Sequence, residues 1–597
     1  MAGCSHEPLL IDDATEDAAY TTLLSAVDPS DFGGALRGVF LADMVRRPLH
    51  FASAACDLSA RQREVGLRAV RRAFARGDDG KLAPGDQRFA DRAWQLNPLF
   101  RAVAESYLQT VQWADDLIET SQASALHRNK ARFAVDMMLD AVSPTNLPWA
   151  NPAVWKEAFD TGGHSLVAGA SHFVDDLMHN GGRPQQVDTT PFAVGGNMAA
   201  TPCRVVMRND LIELLMYEPQ TDVVHAQPIL CSPPWINKYY VMDLSPGRSF
   251  IEYAVQHGFT VFCISYRNPD ASMGGVSWDD YLRLGLIAAL DEVSAITHEP
   301  VVNIVGLCLG GTMSTIGLAH LAAKGDSKRV GWMTLTNTLV DFSVPGTLGV
   351  FADRDSVTRL EKSLEKLGYL EGSTMAQTFD WLRGNDLVWS YVVNNWYMGK
   401  VPPAFDLLAW NADSTNMPAR MHTQYLRACY VENLLVRPGA FRIGETPIDL
   451  RKIKQPLYVL GAENDHIAPW TGSYLISQHV RGQVRYTLTS SGHVAGIVNP
   501  PGNPKSGYWT RPRTERGMDA ETWRRGAERV QGSWWDDWVA WAAARSGKLV
   551  PPPPMPRGEP GPGKYVKGEE GPRFRTRSNN RSANPARRAA RTKASRS

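Results

Sequence analysis

The sequence predicts an α/β protein built on a mostly parallel sheet, with a mainly helical domain in front of it. Two observations carry this. From about Thr190, short apolar, β-branched runs alternate with alanine- and leucine-bearing stretches, the pattern of strands joined by crossover helices. Before that point the apolar spacing is helical, and Gly181-Gly182-Arg183-Pro184 ends the last helix. The 597 residues suffice for several domains.

Taken in order, Gln62 to Arg76, Asn97 to Thr120 and Asn129 to Leu139 read as helices of a first domain over residues 1–190, whose function is not legible. Residues 191–545 form the second domain. Its expected strands are Arg204–Met207, Leu211–Tyr217, Ile229–Cys231, Thr260–Ser265, Val301–Val305, Trp332–Leu339, Leu457–Gly461 and Val484–Leu488. The alternation fails between about 341 and 449. That stretch carries Trp381, Trp389, Trp396, Tyr397 and Trp410, and reads as an inserted cap whose aromatics serve core or interface packing or line a substrate path. Trp534, Trp535 and Trp538 mark the last core helix. From Ser546 the chain turns Pro- and Gly-rich, and beyond Pro572 it carries Arg573 to Arg596 with no acidic residue, which reads as a disordered basic tail over 546–597.

The formal net charge of +1 gives no global pull toward nucleic acid or anionic lipid. Seven scattered cysteines, with no C-x-x-C pair, argue against a zinc site or a disulfide framework and for a reducing, cytoplasmic setting. No basic-then-apolar leader is evident, and no run reaches the roughly 18 apolar residues of a membrane span.

The chemistry is concentrated after the strand at Val301–Val305. Gly306-Leu307-Cys308-Leu309-Gly310 follows it, and a helical stretch from Gly311 to Lys324 comes next, stopped by Gly325. Strand, tight turn and helix form the setting of a nucleophile elbow, here with cysteine at its tip. A thiolate at a helix N-terminus is stabilised by the dipole and by backbone N–H groups. Such a nucleophile needs a base and an orienting acid, which in this fold follow in the order acid, then histidine. Asp465 sits in the loop after Leu457–Gly461, and His493 in the loop after Val484–Leu488, both at carboxyl ends of strands. His466 is the rival base and Asp341 the rival acid. His466 lies beside Asp465, where adjacent side chains point apart, so His493 is preferred. Two N–H donors are expected for an oxyanion: Leu309, and Trp235 or Ile236 from the loop after Pro228–Cys231, whose Pro233 and Pro234 have no N–H. Together these features indicate an α/β-hydrolase fold with a cap insertion.

The sequence then resembles the polyhydroxyalkanoate synthases. The carrying segments are Pro233-Pro234-Trp235-Ile236-Asn237-Lys238-Tyr239-Tyr240, Ser265-Tyr266-Arg267-Asn268-Pro269, Gly306-Leu307-Cys308-Leu309-Gly310-Gly311, Ala409-Trp410-Asn411-Ala412-Asp413-Ser414-Thr415, Asp465-His466-Ile467-Ala468-Pro469-Trp470 and Gly532-Ser533-Trp534-Trp535. Arg88 to Trp94 and Asn97-Pro98-Leu99-Phe100 are similar in the first domain. The resemblance places the nucleophile on Cys308, the acid on Asp465 and the base on His493. It implies polymerisation of (R)-3-hydroxyacyl-CoA into polyester, with coenzyme A as a leaving group and neither cofactor nor metal. It also implies a cytoplasmic homodimer at the surface of a polyester granule, in contact with the growing chain. Weak polyanion binding by the basic tail is the remaining partner expectation. Trp235 and the chain length lean toward the short-chain (class I) type, while Asp243-Leu244-Ser245-Pro246 leans toward the medium-chain (class II) type. A thioesterase or polyester hydrolase would use the same triad, and a non-catalytic granule protein would keep only the fold.

Overall fold

The computed structural model describes residues 29–74, 82 and 86–569. The expected basic tail beyond Pro572 lies outside the described residues. The chain divides into two compact units.

The first unit holds the chain up to Pro191 together with Thr347–Arg359 and Thr374–Ala412. Its helices include Pro48–Phe74, Pro98–Thr120, Ala125–Ala141, Pro152–Asp160 and His164–His179. Local chemistry starts them: the Asn97 side chain accepts from Leu99 N–H at 2.9 Å, and Pro98 holds the first helical position. Phe89, Trp94, Ala104 and Tyr107 form one of the unit's apolar clusters. The aromatics of the inserted segments pack within the same unit. Trp396 donates its indole N–H to Asp176 at 2.8 Å and stands edge-on to Phe173. Gly169 admits that backbone, since a Cβ there would lie 2.1 Å from the Trp396 carbonyl.

The second unit is built on an eleven-stranded sheet, numbered here β1 (Cys203–Arg208), β2 (Ile212–Tyr217), β3 (Ile229–Ser232), β4 (Val261–Tyr266), β5 (Val302–Leu307), β6 (Val330–Thr336), β7 (Leu457–Ala462), β8 (Val484–Thr489), β9 (Gly507–Thr510), β10 (Glu528–Gln531) and β11 (Glu559–Pro560). Their order across the sheet is β10-β9-β8-β7-β6-β5-β3-β4-β2-β1-β11. The central six, from β4 to β8, are parallel; both flanks are antiparallel. β4, β5 and β7 are buried at every residue, as strands covered on both faces must be. The eight expected strands are all present. β6 stops at Thr336 rather than Leu339, because Asn337 takes a left-handed φ of 45° and turns the chain away. The parallel core with covering helices is the α/β-hydrolase architecture.

Three strands of this sheet lie outside the expected set: β9, β10 and β11. The last belongs to a segment expected to be disordered. Residues 546–569 instead run along the second unit, where β11 pairs with β1 and Tyr565 and Val566 are buried. Glycine and proline there serve close approach: a Cβ on Gly561 would lie 2.1 Å from the Cys203 sulfur. Composition alone reads such a stretch as unable to pack, because it has little apolar area to bury.

Candidate active site

β5 ends at Leu307 and the helix Leu309–Lys324 begins two residues later, so Cys308 occupies the corner between them. Its backbone is held at φ 50° and ψ −117°, a conformation outside the three regions open to ordinary residues. The flanking glycines make the corner sterically feasible. A Cβ on Gly306 would lie 2.6 Å from Gly311 Cα, and one on Gly310 would lie 1.9 Å from the Ser232 carbonyl oxygen. The Cys308 N–H donates to Thr336 O at 2.8 Å, and Thr338 Oγ1 donates to Cys308 O at 3.1 Å. The strain is therefore fixed from β6.

His493 Nδ1 and Asp465 Oδ2 are 2.6 Å apart, and the ring is electrostatically coupled to the Cys308 sulfur. The other Asp465 oxygen accepts the N–H groups of Ile467 at 2.9 Å and Ala468 at 2.8 Å, which fixes the carboxylate against rotation. Burial opposes the His493 imidazolium, yet Asp465 and Cys308 together hold it well above its ordinary value near 6.5. Of the three residues chosen from sequence, His493 and Asp465 are hydrogen-bonded to each other, and Cys308 acts on the ring electrostatically. The rivals are placed elsewhere: Asp341 pairs with His479 at 2.7 Å and accepts from Asn433 at 2.9 Å, while the Asp465–histidine bond goes to His493 rather than His466.

The loop carrying His493 is held from two sides. Asn337 donates its amide to the His493 carbonyl. Trp534 and Trp535 donate their indole N–H groups to Gly496 O at 2.8 Å and Ile497 O at 3.0 Å. Leu309 is the first residue of the helix, where backbone N–H groups lack an intrahelical acceptor. The loop after β3 rests on the elbow through Ser232 and Pro233, and its Trp235 ring is buried edge-on to Trp278, Tyr281 and Tyr425. Ile236 is half-buried beside it.

Tyr425 and Tyr430 escaped the sequence reading. They lie in the inserted segment, their rings stand edge-on with centroids 5.6 Å apart, and both feel the charge of the Cys308 sulfur. Burial raises both phenols, so they stay neutral hydrogen-bonding groups. Their only sequence signal is an aromatic pair five residues apart, which a buried core would equally produce.

Comparison with known proteins adds two matched families and several close relatives. The family described as "Poly-beta-hydroxybutyrate polymerase (PhaC) N-terminus" matches residues 85–254, and the α/β-hydrolase fold family matches residues 241–500. A poly(3-hydroxyalkanoate) polymerase subunit PhaC of Rhizobium meliloti is 41% identical over 497 residues, 82% of this chain and 81% of its own. The corresponding subunit of Cupriavidus necator is 40% identical over 511 residues, covering 84% and 86%.

Proposed function

The chain belongs to the poly(3-hydroxyalkanoate) polymerase family, and on that premise we propose how its residues perform the polymerisation. The substrate is a (R)-3-hydroxyacyl-CoA thioester. The Cys308 thiolate attacks its carbonyl carbon, and the oxyanion is received by Leu309 N–H and by an N–H of Trp235 or Ile236. The carbon–sulfur bond to coenzyme A breaks, and the His493 imidazolium returns a proton to the departing thiolate. The 3-hydroxyl of another acyl unit then attacks the acyl-cysteine. His493 takes the hydroxyl proton, an oxoester forms, and Cys308 leaves as thiolate. Asp465 keeps Nδ1 of the ring facing itself and Nε2 facing the sulfur. The exchange of one thioester for another is nearly isoenergetic, which suits a thiol better than a serine hydroxyl.

The observation that supports this reading is the His493–Asp465 hydrogen bond, with the ring electrostatically coupled to Cys308 at a strained strand-to-helix corner. The test is an assay with (R)-3-hydroxybutyryl-CoA. Release of coenzyme A with insoluble polymer is expected. Release with free 3-hydroxy acid would make the chain a thioesterase, and no release would leave only the fold.

A homodimer and attachment to the polyester granule belong to the same proposal. Among the described residues no helix is long and apolar enough to cross a membrane. Exposed apolar residues on the helices Pro152–Asp160 and His164–His179, including Phe159, Val167 and Met178, support contact with an apolar polymer.

A further inference from the structure

We propose that Lys238 is a positioning residue for the oxyanion loop, acting through the C-terminal strap at residues 559–569. This rests on the reading above that the loop supplies one oxyanion donor.

The loop starts where β3 ends and runs to Lys238. Its first part is fixed by the elbow, where Gly310 leaves no room between its own backbone and the carbonyls of Ser232 and Pro233. Pro233 and Pro234 have no N–H with which to tie down the residues after them. The far end is held by the lysine. Its side chain is only 7% exposed, its ammonium donates to the Val566 carbonyl at 2.8 Å, and the Asp413 carboxylate lies 3.9 Å away. A buried ammonium has lost its hydration, so fixed partners must replace water. Asp413 also accepts from the Tyr240 hydroxyl at 2.8 Å, and Asn237 bridges to Ser414. Donor-bearing Trp235 and Ile236 thus sit between two fixed points.

The strap is anchored independently of the loop. Glu213 on β2 is fully buried. It accepts the backbone N–H groups of Lys564 at 3.2 Å and Tyr565 at 3.0 Å, and pairs with Arg208 at 2.6 Å. The Tyr565 hydroxyl donates to Asn209 O at 2.7 Å. Gly563, at φ 91°, leaves no space for a Cβ, which would lie 2.3 Å from Glu213 Oε2. The Val566 carbonyl is therefore referenced to β2, and through Lys238 the loop is referenced to the same strand. A backbone donor stabilises an oxyanion in proportion to how little it must reorganise. The tie from Lys238 to Val566 supplies that rigidity.

The test measures two rates on full-length protein: coenzyme A release from (R)-3-hydroxybutyryl-CoA, and alkylation of Cys308 by iodoacetamide. The second reports the thiolate and the fold but needs no oxyanion donor. Removing an oxyanion donor outright lowers kcat by about 10²–10³, so displacing one by Lys238→Met is expected to lower kcat by about tenfold. KM and the alkylation rate should stay within roughly twofold of wild type. Lys238→Arg keeps a donor and should recover part of kcat. Gly563→Ala disturbs the strap without touching the loop, and the same split between kcat and alkylation is expected. The proposal is overturned if Lys238→Met turns over at the wild-type rate, or if alkylation falls in step with kcat. A silent Gly563→Ala overturns the role of the strap. If Lys238→Met does not fold, the Gly563→Ala split alone decides. Wild-type protein that makes no polymer refutes the reaction proposed above and leaves this geometry question separate.

Discussion

At the scale of single residues, the corner at Cys308 explains why cysteine can act here. The backbone is strained, positions 306 and 310 tolerate only glycine, and the sulfur is electrostatically coupled to an imidazole whose Nδ1 is bound by a carboxylate. Cys308→Ala is expected to abolish acyl-enzyme formation, read as loss of radiolabelled acyl protein after trapping. Cys308→Ser should keep a trace, since a hydroxyl is rarely deprotonated near neutrality and is a poor acceptor for a thioester. An alanine variant that still builds polymer at a near wild-type rate would remove Cys308 from the mechanism. The histidine gives a second test. Its folded value lies above the ordinary 6.5, so protonation adds stability that is fully present below about pH 6.5 and is lost as the pH rises through the raised value. Cys308→Ala removes one of the two groups that raise it, so the ring should titrate lower, and Asp465→Asn should lower it further. NMR titration of the ring reads both. A ring in Cys308→Ala that titrates at or above its wild-type value contradicts the assigned coupling.

At the scale of elements, the candidate triad was legible because each member marks a boundary. Gly306 and Gly310 bracket a strand-to-helix turn, Asp465 follows the apolar run of β7, and His493 follows β8 behind Gly492. Period and punctuation carry that information locally. The strap was not legible, because Gly558, Gly561 and Gly563 have the composition of a disordered chain. They pack only because Val205, Cys203 and Glu213 wait for them far earlier in the sequence. The Tyr425–Tyr430 pair failed for a related reason, since an inserted segment must fold back before its aromatics have an address. The helix Trp534–Ala543 shows both cases at once. Its burial was readable from Trp534, Trp535 and Trp538; its grip on the His493 loop was not. These two jobs separate by mutation. Trp538 is fully buried and donates to Thr334 Oγ1 at 2.9 Å, so Trp538→Ala should cost about 3–5 kcal/mol of stability in urea unfolding. Trp535→Phe keeps most of the ring and frees the Ile497 carbonyl, and should cost only about 1 kcal/mol. Its coenzyme A release should nevertheless fall more than that of Trp538→Ala when both are assayed fully folded. The reverse ranking would mean that the helix acts on activity through stability alone.

At the scale of the whole molecule, the two units carry different surfaces. Cys308, His493, Asp465 and the strap all lie in the second unit, at or before Glu569. A chain ending at Glu569 should therefore release coenzyme A at the wild-type rate, whereas one ending at Pro556 removes β11 and the Lys238 anchor and should not. The first unit has the more unusual exterior. On the helix His164–His179, Leu166, Val167, Phe173, Val174, Leu177 and Met178 are all at least 43% exposed, and Val167, Val174 and Met178 fall at spacings of seven and four residues, one face of a helix. Solvated helices ordinarily present charge there. An insoluble polyester is the partner we propose for such a face, since it offers apolar area and its ester oxygens ask for few donors. Val167→Glu, Val174→Glu and Met178→Glu together are expected to move the protein from the polymer pellet to the supernatant after centrifugation, because burying three carboxylates against polymer is unfavourable. Turnover of soluble substrate in the same preparation should stay within roughly twofold, since none of the three belongs to the second unit, which holds Cys308, His493 and Asp465. If the triple variant still sediments with polymer, the face serves another purpose. If it also changes the oligomeric state seen in size-exclusion chromatography, the occupant is a second copy of the chain rather than the polyester.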